Sequence, residues 1–122
     1  MSVVPHPLTL RERLYLTAQL RTLRGGALRD GDRMAIDHAT QTVAGADLAD
    51  DGTIMITRMI APGVLGDLEV AVAVLERIVR QHRSSAADPA NARWAPDALA
   101  RDQRALQMLR RTRNAARRAD RG

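Results

Sequence analysis

The most concentrated chemistry in this sequence is a set of arginines near its C-terminal end. Residues 101–122 hold eight arginines and two acids, a formal charge of +6, whereas residues 1–100 hold eleven arginines and twelve acids. A guanidinium group binds phosphate or carboxylate oxygens through two parallel N–H groups and stays charged at any physiological pH. The segment therefore predicts contact with a negatively charged partner.

We expect this partner to be nucleic acid or a nucleoprotein complex, bound mainly through the phosphate backbone. The predicted contacts are Arg101, Arg104, Arg110, Arg111, Arg113, Arg117, Arg118 and Arg121. The sequence has no Phe and only one Trp and one Tyr, so stacking on bases is not indicated. Nor does it contain a recognisable reader motif such as a zinc finger.

An acidic protein surface is the alternative partner for these arginines. The stretch from Asp30 to Asp51 holds six acids and one arginine, so the basic helix could pair with it inside the chain or between subunits. In that case the protein is an interaction, scaffold or assembly factor. Charge alone leaves both partners open.

Four other side chains are of the types that a metal site or acid–base catalysis would use: His38, His82, Glu69 and Glu76. They do not show the close pairing of His and Glu that zinc sites use, and the Asp-rich stretch 47–52 does not match a calcium loop. The chain has no cysteine, which excludes thiolate chemistry. We therefore predict a non-catalytic protein with no metal and no cofactor.

Residues 9–44 also allow comparison with a helix-turn-helix, because two predicted helices flank a Gly-containing joint. This joint, from Gly25 to Asp32, is longer than the three or four residues that the motif uses. Asp32 and Asp37 would place acids on the recognition helix. We interpret the segment as an ordinary helical hairpin.

The periodicity of apolar residues predicts an all-α domain, a bundle of four or five helices with the basic helix last. The first helix begins at Thr9, which forms a capping box with Glu12, and ends near Arg24 before Gly25 and Gly26. The other predicted helices cover about 33–44, 65–83 and 96–118. We expect residues 1–7 to be an extension, 8–118 the domain with a linker at 84–96, and 119–122 a disordered tail.

The first helix carries apolar side chains on two nearly opposite sides. One stripe contains Leu10, Leu14 and Ala18, and the other contains Leu16, Leu20 and Leu23. A helix that is apolar on two sides either is central in the fold or meets another subunit with its second side. We predict a homo-oligomer or a subunit of a larger complex. The predicted oligomer interface is Leu16, Leu20, Leu23 and Trp94.

Two further expectations concern the last helix and the segment 53–60. Leu99, Leu106 and Leu109 should anchor the last helix, and its final turns should project or fray beyond Leu109. Residues 53–60 have a β-like composition but no obvious partner strand. We expect a short hydrophobic helix there, while an irregular segment or a strand that pairs with a second copy stays open.

No stretch of the sequence is typical of a membrane protein. Pro5, Pro7 and the charged residues Arg11 to Arg13 interrupt the N-terminal apolar residues, so a signal peptide is not indicated. The uncharged run from Val70 to Leu75 is too short to cross a bilayer. We expect a cytoplasmic protein that does not bind a membrane.

Overall fold

The described residues of the computed structural model of this chain form four α-helices, three short strands and one 3-10 turn. The backbone is described for residues 3–26, 28–44, 47–48, 53–57 and 63–121, and side chains for residues 8–26, 28–44 and 63–118. The helices are α1 (Leu10–Arg24), α2 (Asp30–Ala44), α3 (Val64–Ala86) and α4 (Ala95–Arg121). The strands are β1 (Val3–Thr9), β2 (Asp47–Leu48) and β3 (Thr53–Thr57).

The start of α1 follows from the capping box that the sequence predicts. The Thr9 hydroxyl accepts the backbone N–H of Glu12 at 3.2 Å, and the Glu12 carboxylate accepts the backbone N–H of Thr9 at 3.1 Å. Two N–H groups that a helix start would otherwise leave without partners are thereby satisfied. The helix ends at Arg24, and the N–H of Gly25 donates to the carbonyl of Arg21 at 3.3 Å.

The direction of each helix can be deduced from polar contacts between neighbours. As residue numbers rise along α3, the contacting residues on α4 fall: Glu69 meets Arg117, and Glu76 meets Arg110. The same reversal relates α1 to α4 and α2 to α3, through the pairs Glu12–Arg111, Gln19–Asp102, Asp32–Arg77 and His38–Asp67. Each helix packs against its neighbours along the chain, and α4 returns to pack against α1. The predicted antiparallel helical bundle is confirmed.

The small sheet was not predicted, and the expectation of a helix at 53–60 was wrong for residues 53–57. Strand β3 lies between β1 and β2 and pairs antiparallel with both. The partner that seemed to be missing from the sequence is the N-terminal segment, of which residues 1–7 were predicted to be an extension. Proline lacks the N–H that a central strand needs but is tolerated on an edge strand. The pairing is irregular between Pro5 and Thr9, and residues 58–60 lie outside the described part of the chain.

The predicted interface on α1 also needs correction. Leu16 and Leu20 are completely buried in the core, and Leu23 packs against it. The exposed stripe is the opposite one, where Leu10 is 42% and Leu14 is 54% exposed. The period of the two stripes was therefore right, but the inward stripe was assigned to the wrong side. Trp94 remains at the surface, 48% exposed.

The predicted linker is shorter than expected, because both flanking helices extend into it. Helix α3 continues to Ala86 and α4 begins at Ala95, with a single 3-10 turn at Pro89–Asn91 between them. The Asp88 carboxylate accepts the N–H of Ala90 at 2.9 Å and starts this turn. At its other end α4 reaches Arg121, three residues beyond the predicted end.

Removing the Thr9 cap should destabilise the domain measurably. We expect Thr9→Ala to lower the free energy of unfolding by about 1 kcal/mol, because the N–H of Glu12 loses its acceptor. Thr22→Ala is the control, because its hydroxyl bonds only to the Ala18 carbonyl of its own helix, and such surface changes stay within about 0.5 kcal/mol. Urea denaturation of both variants measures the difference, and equal losses would contradict the role of the cap.

The corrected orientation of α1 makes a second prediction. Leu20→Ala should lower the free energy of unfolding by about 2–5 kcal/mol through the cavity it leaves. Leu14→Ala should change it by less than about 0.5 kcal/mol, because that side chain is exposed. Denaturant unfolding of the two variants shows which apolar stripe of α1 faces the core. A larger loss for Leu14→Ala would restore the orientation predicted from the sequence.

Candidate functional site

Helix α4 carries the predicted site, and its position is fixed by a long buried face. Seven of its side chains in the described region have 5% exposure or less and are apolar: Ala95, Ala105, Leu106, Met108, Leu109, Ala115 and Ala116. Thr112 is also buried, and its hydroxyl donates to the Met108 carbonyl at 3.0 Å. The anchoring of Leu106 and Leu109 is confirmed, and Leu99 packs against the core. The expected loss of anchoring after Leu109 was wrong, because small residues continue the buried face to Ala116.

Two of the predicted arginines point towards α3 and are paired there. Arg117 donates from Nη2 and Nε to one oxygen of Glu69, at 2.7 and 3.1 Å. Arg110 Nη2 lies 3.3 Å from a carboxylate oxygen of Glu76. All four side chains are between 39% and 46% exposed. These contacts therefore fix the direction of each arginine more than they stabilise the fold, since exposed ion pairs contribute little free energy.

A third predicted arginine, Arg111, points the other way and pairs with Glu12 on α1. The Glu12 carboxylate therefore serves both the capping box and this ion pair. Burial raises the pKa of Glu12, but the backbone N–H of Thr9 and the Arg111 guanidinium outweigh burial, so the net pKa lies below its ordinary value of 4.5. The charged form of Glu12 is thus favoured by the folded state.

The arginines near the start of α4 have no carboxylate partner among the described residues. Arg104 lies over the ring of Tyr15, with its guanidinium carbon 4.5 Å from the ring centre. The Tyr15 hydroxyl donates to the backbone carbonyl of Arg101 at 3.2 Å, which leaves the Arg101 guanidinium exposed. A cation over an aromatic face keeps its full charge. Both arginines therefore present positive charge to solvent.

Two further arginines near the end of α4, Arg113 and Arg118, differ in their exposure. Arg113 is half-buried, and its Nε and Nη2 donate to the side-chain oxygen of Asn114 at 3.3 and 3.2 Å. Arg118 is exposed, and no carboxylate among the described residues pairs with it. The side chain of Arg121 lies outside the described part of the chain.

The acidic stretch from Asp30 to Asp51 does not pair with α4 where it is described. Asp32 pairs with Arg77 of α3 at 2.6 Å, and Asp37 pairs with Arg24 of α1 at 2.5 Å. Asp30 contacts Arg33 on its own helix. The side chains of Asp47, Asp50 and Asp51 lie outside the described residues. The carboxylates that pair with α4 are the glutamates of α1 and α3. The sequence analysis placed Glu12 in the capping box and considered Glu69 and Glu76 only for metal binding or catalysis.

Sequence reasoning missed a buried carboxylate, Asp102, which is 1% exposed. It accepts the side-chain amide of Gln19 at 2.8 Å, and its other oxygen contacts Nδ1 of His82. The edge of His82 meets Trp94, with ring centres 5.9 Å apart and planes at 86°. The network ties α1, α3 and the linker to α4. Its signal in the sequence was weak, because nothing local distinguishes Asp102 from a solvated acid.

The residues considered for catalysis or metal binding are not assembled into one site. His38 contacts Asp67, His82 contacts Asp102, and Glu69 and Glu76 pair with different arginines. Within the described side chains no group of three or more His, Asp or Glu residues could hold a metal ion. The joint between α1 and α2, residues 25–29, exceeds the usual helix-turn-helix length.

No known protein family, curated protein or solved structure matches this chain. Among the described residues, no helix is both long enough and apolar enough to cross a membrane.

The lowered pKa of Glu12 predicts how its contribution to stability depends on pH. A carboxylate with a lowered folded pKa contributes stability that is fully present above its ordinary value of 4.5 and is lost as pH falls through the folded value. Glu12→Gln should therefore be less stable than the wild type at pH 7, and the gap should narrow below pH 4.5. Urea unfolding at several pH values checks this. A gap independent of pH would show that the Glu12 charge contributes nothing.

Proposed function

We propose that this protein binds nucleic acid through the α4 arginines that are exposed and have no carboxylate partner among the described residues. The observation that supports this is the division within α4: Arg110, Arg111 and Arg117 pair with glutamates, whereas Arg101, Arg104 and Arg118 do not. We call the second set the open arginines. They are the exposed arginines of the predicted site whose charge no described carboxylate compensates.

The open arginines form an extended row rather than a compact pocket. Arg104 and Arg118 are separated by four turns of helix, and Arg101 lies one turn before Arg104. At 1.5 Å per residue the row is about 25 Å long. One strand of duplex advances 3.4 Å per nucleotide, so the row covers roughly seven nucleotides. A partner with phosphates at regular intervals suits this geometry.

Binding should depend little on base sequence. The ring of Tyr15 is covered on one face by Arg104, and its hydroxyl is bonded to Arg101. Trp94 lies on the linker against His82. Tyr15 is thus engaged with the arginines of the row, and no series of aromatic rings is present on which successive bases could stack. Phosphate contacts position a protein on nucleic acid without reading its sequence.

A protein partner with an acidic surface is the second candidate, favoured by two exposed leucines. Leu10 and Leu14 on α1 are 42% and 54% exposed, which would give an interface an apolar centre beside the charges of α4. In this case the protein is an assembly or scaffold factor and belongs to an oligomer or a larger complex. Salt-sensitive self-association that Leu14→Ser abolishes, measured by light scattering, would favour this candidate.

Titration of labelled oligonucleotides tests the nucleic-acid proposal. We expect 20-mers of single-stranded and duplex DNA and RNA to bind at low micromolar protein in 50 mM salt, with affinity falling steeply by 200 mM salt. Arg104→Gln/Arg118→Gln should weaken binding and reduce the slope of log affinity against log salt by about 1.4–1.8, since two phosphate contacts are lost. Fluorescence anisotropy measures both quantities.

The matched control is Arg21→Gln/Arg29→Gln, which removes the same charge from exposed positions on α1 and its following turn. Arg21 lies on the side of α1 away from α4, because Glu12 and Gln19 face α4. The control should keep most of the affinity. Equal weakening by both variants would show that net charge, not the row on α4, determines binding. Absence of binding by the wild type would overturn the proposal.

A further inference from the structure

Two ion pairs join α3 to α4 at a regular spacing, and no ion pair forms at the next position with that spacing. Glu69 and Glu76 are seven residues apart, as are their partners Arg117 and Arg110. Seven residues make two turns of helices packed in this way, so the next pair of facing positions lies seven residues further on. Those positions hold Arg83 on α3 and Gln103 on α4, where no carboxylate is present.

A groove of about 460 Å³ lies at this step between α3 and α4. Its lining consists of Glu76, Val79, Arg80, Arg83, Gln103, Leu106, Gln107 and Arg110. The only carboxylate in the groove, Glu76, is the partner of Arg110. Arg80 and Arg83 have no ion-pair partner among the described residues and add two uncompensated charges. The two glutamine amides supply further N–H donors.

This lining has the composition of an oxyanion site. Guanidinium groups bind phosphate oxygens through pairs of N–H groups, and amides complete the shell without adding charge. The groove volume of about 460 Å³ lies in the range of ligand pockets. Val79 and Leu106 provide an apolar wall for the remainder of a ligand.

From this arrangement we infer that the groove binds the phosphate or diphosphate group of a ligand, with Arg80 and Arg83 as the main contacts. The inference does not rest on the proposed nucleic-acid function. The groove faces α3, whereas Arg104 lies over Tyr15 of α1. Arg80 and Arg83 lie on α3 and the open arginines lie on α4, so the two sets can be removed separately.

Titration with inorganic pyrophosphate, followed by NMR of the backbone and side-chain amides of the full chain, tests this inference. We expect saturable binding at low salt with a Kd below about 1 mM, and shifts of the Gln103 and Gln107 side-chain amides. Arg80→Gln/Arg83→Gln should weaken binding at least tenfold. Arg21→Gln/Arg29→Gln, which removes equal charge, should leave it within twofold. Circular dichroism of both variants confirms that they are folded.

Three results would overturn the inference: shifts that do not saturate, shifts spread over all exposed arginines, or equal weakening by the two double variants. If pyrophosphate binds the groove and no oligonucleotide binds, the phosphate site is supported and the nucleic-acid proposal is wrong. If oligonucleotides bind and pyrophosphate does not, only the inference about the groove is wrong. A 20-mer that displaces pyrophosphate identifies the bound phosphate as part of a nucleic acid. Simultaneous binding identifies a separate small ligand, and both results support the site.

Discussion

The burial of one face of α4 against the rest of the domain is the interaction on which the structure depends. Met108 and Leu109 fill the centre of this face, and Ala105 and Ala116 extend it along the helix. Each large side chain removed from water contributes about 1.5–3 kcal/mol, whereas an exposed ion pair contributes about 0–1 kcal/mol. Apolar packing therefore holds α4 in place, and the small alanines let it approach its neighbours closely. Once α4 is fixed, the positions of all its arginines are fixed with it.

The glutamates that flank α4 determine which of these arginines remain available to a partner. Glu12 lies on the α1 side, and Glu69 and Glu76 lie on the α3 side. Where no glutamate faces α4, the charge of its arginines is not compensated by a carboxylate. The same holds on α3 for Arg83, which lines the groove. Three of the five arginines between residues 110 and 118 are thus paired with glutamates within the bundle. The available positive charge lies at the start of α4, along its outer side and in the groove.

Local patterns in the sequence were sufficient to predict the helices, but not to predict how the helices pack or which strands pair. The Thr9–Glu12 capping box determined the start of α1 because every atom involved lies within one turn. The inward side of α1 was assigned wrongly because both sides of the helix carry leucines, and the position of the core relative to α1 is set by the packing of the other helices. The β1–β3 pairing joins segments about fifty residues apart, and such contacts leave no periodic signal. The partner of Asp102 likewise depends on tertiary packing alone.

The central claim, that three glutamates withhold three arginines from a partner, is tested most directly by releasing those arginines. In Glu12→Gln/Glu69→Gln/Glu76→Gln, oligonucleotide affinity should rise and the salt slope should steepen by up to about 0.9 per released arginine that reaches a phosphate. The comparison is Asp30→Asn/Asp32→Asn/Asp37→Asn, which adds equal positive charge on α2 and should produce a smaller change. Equal affinities and salt slopes for the two folded variants would contradict the claim.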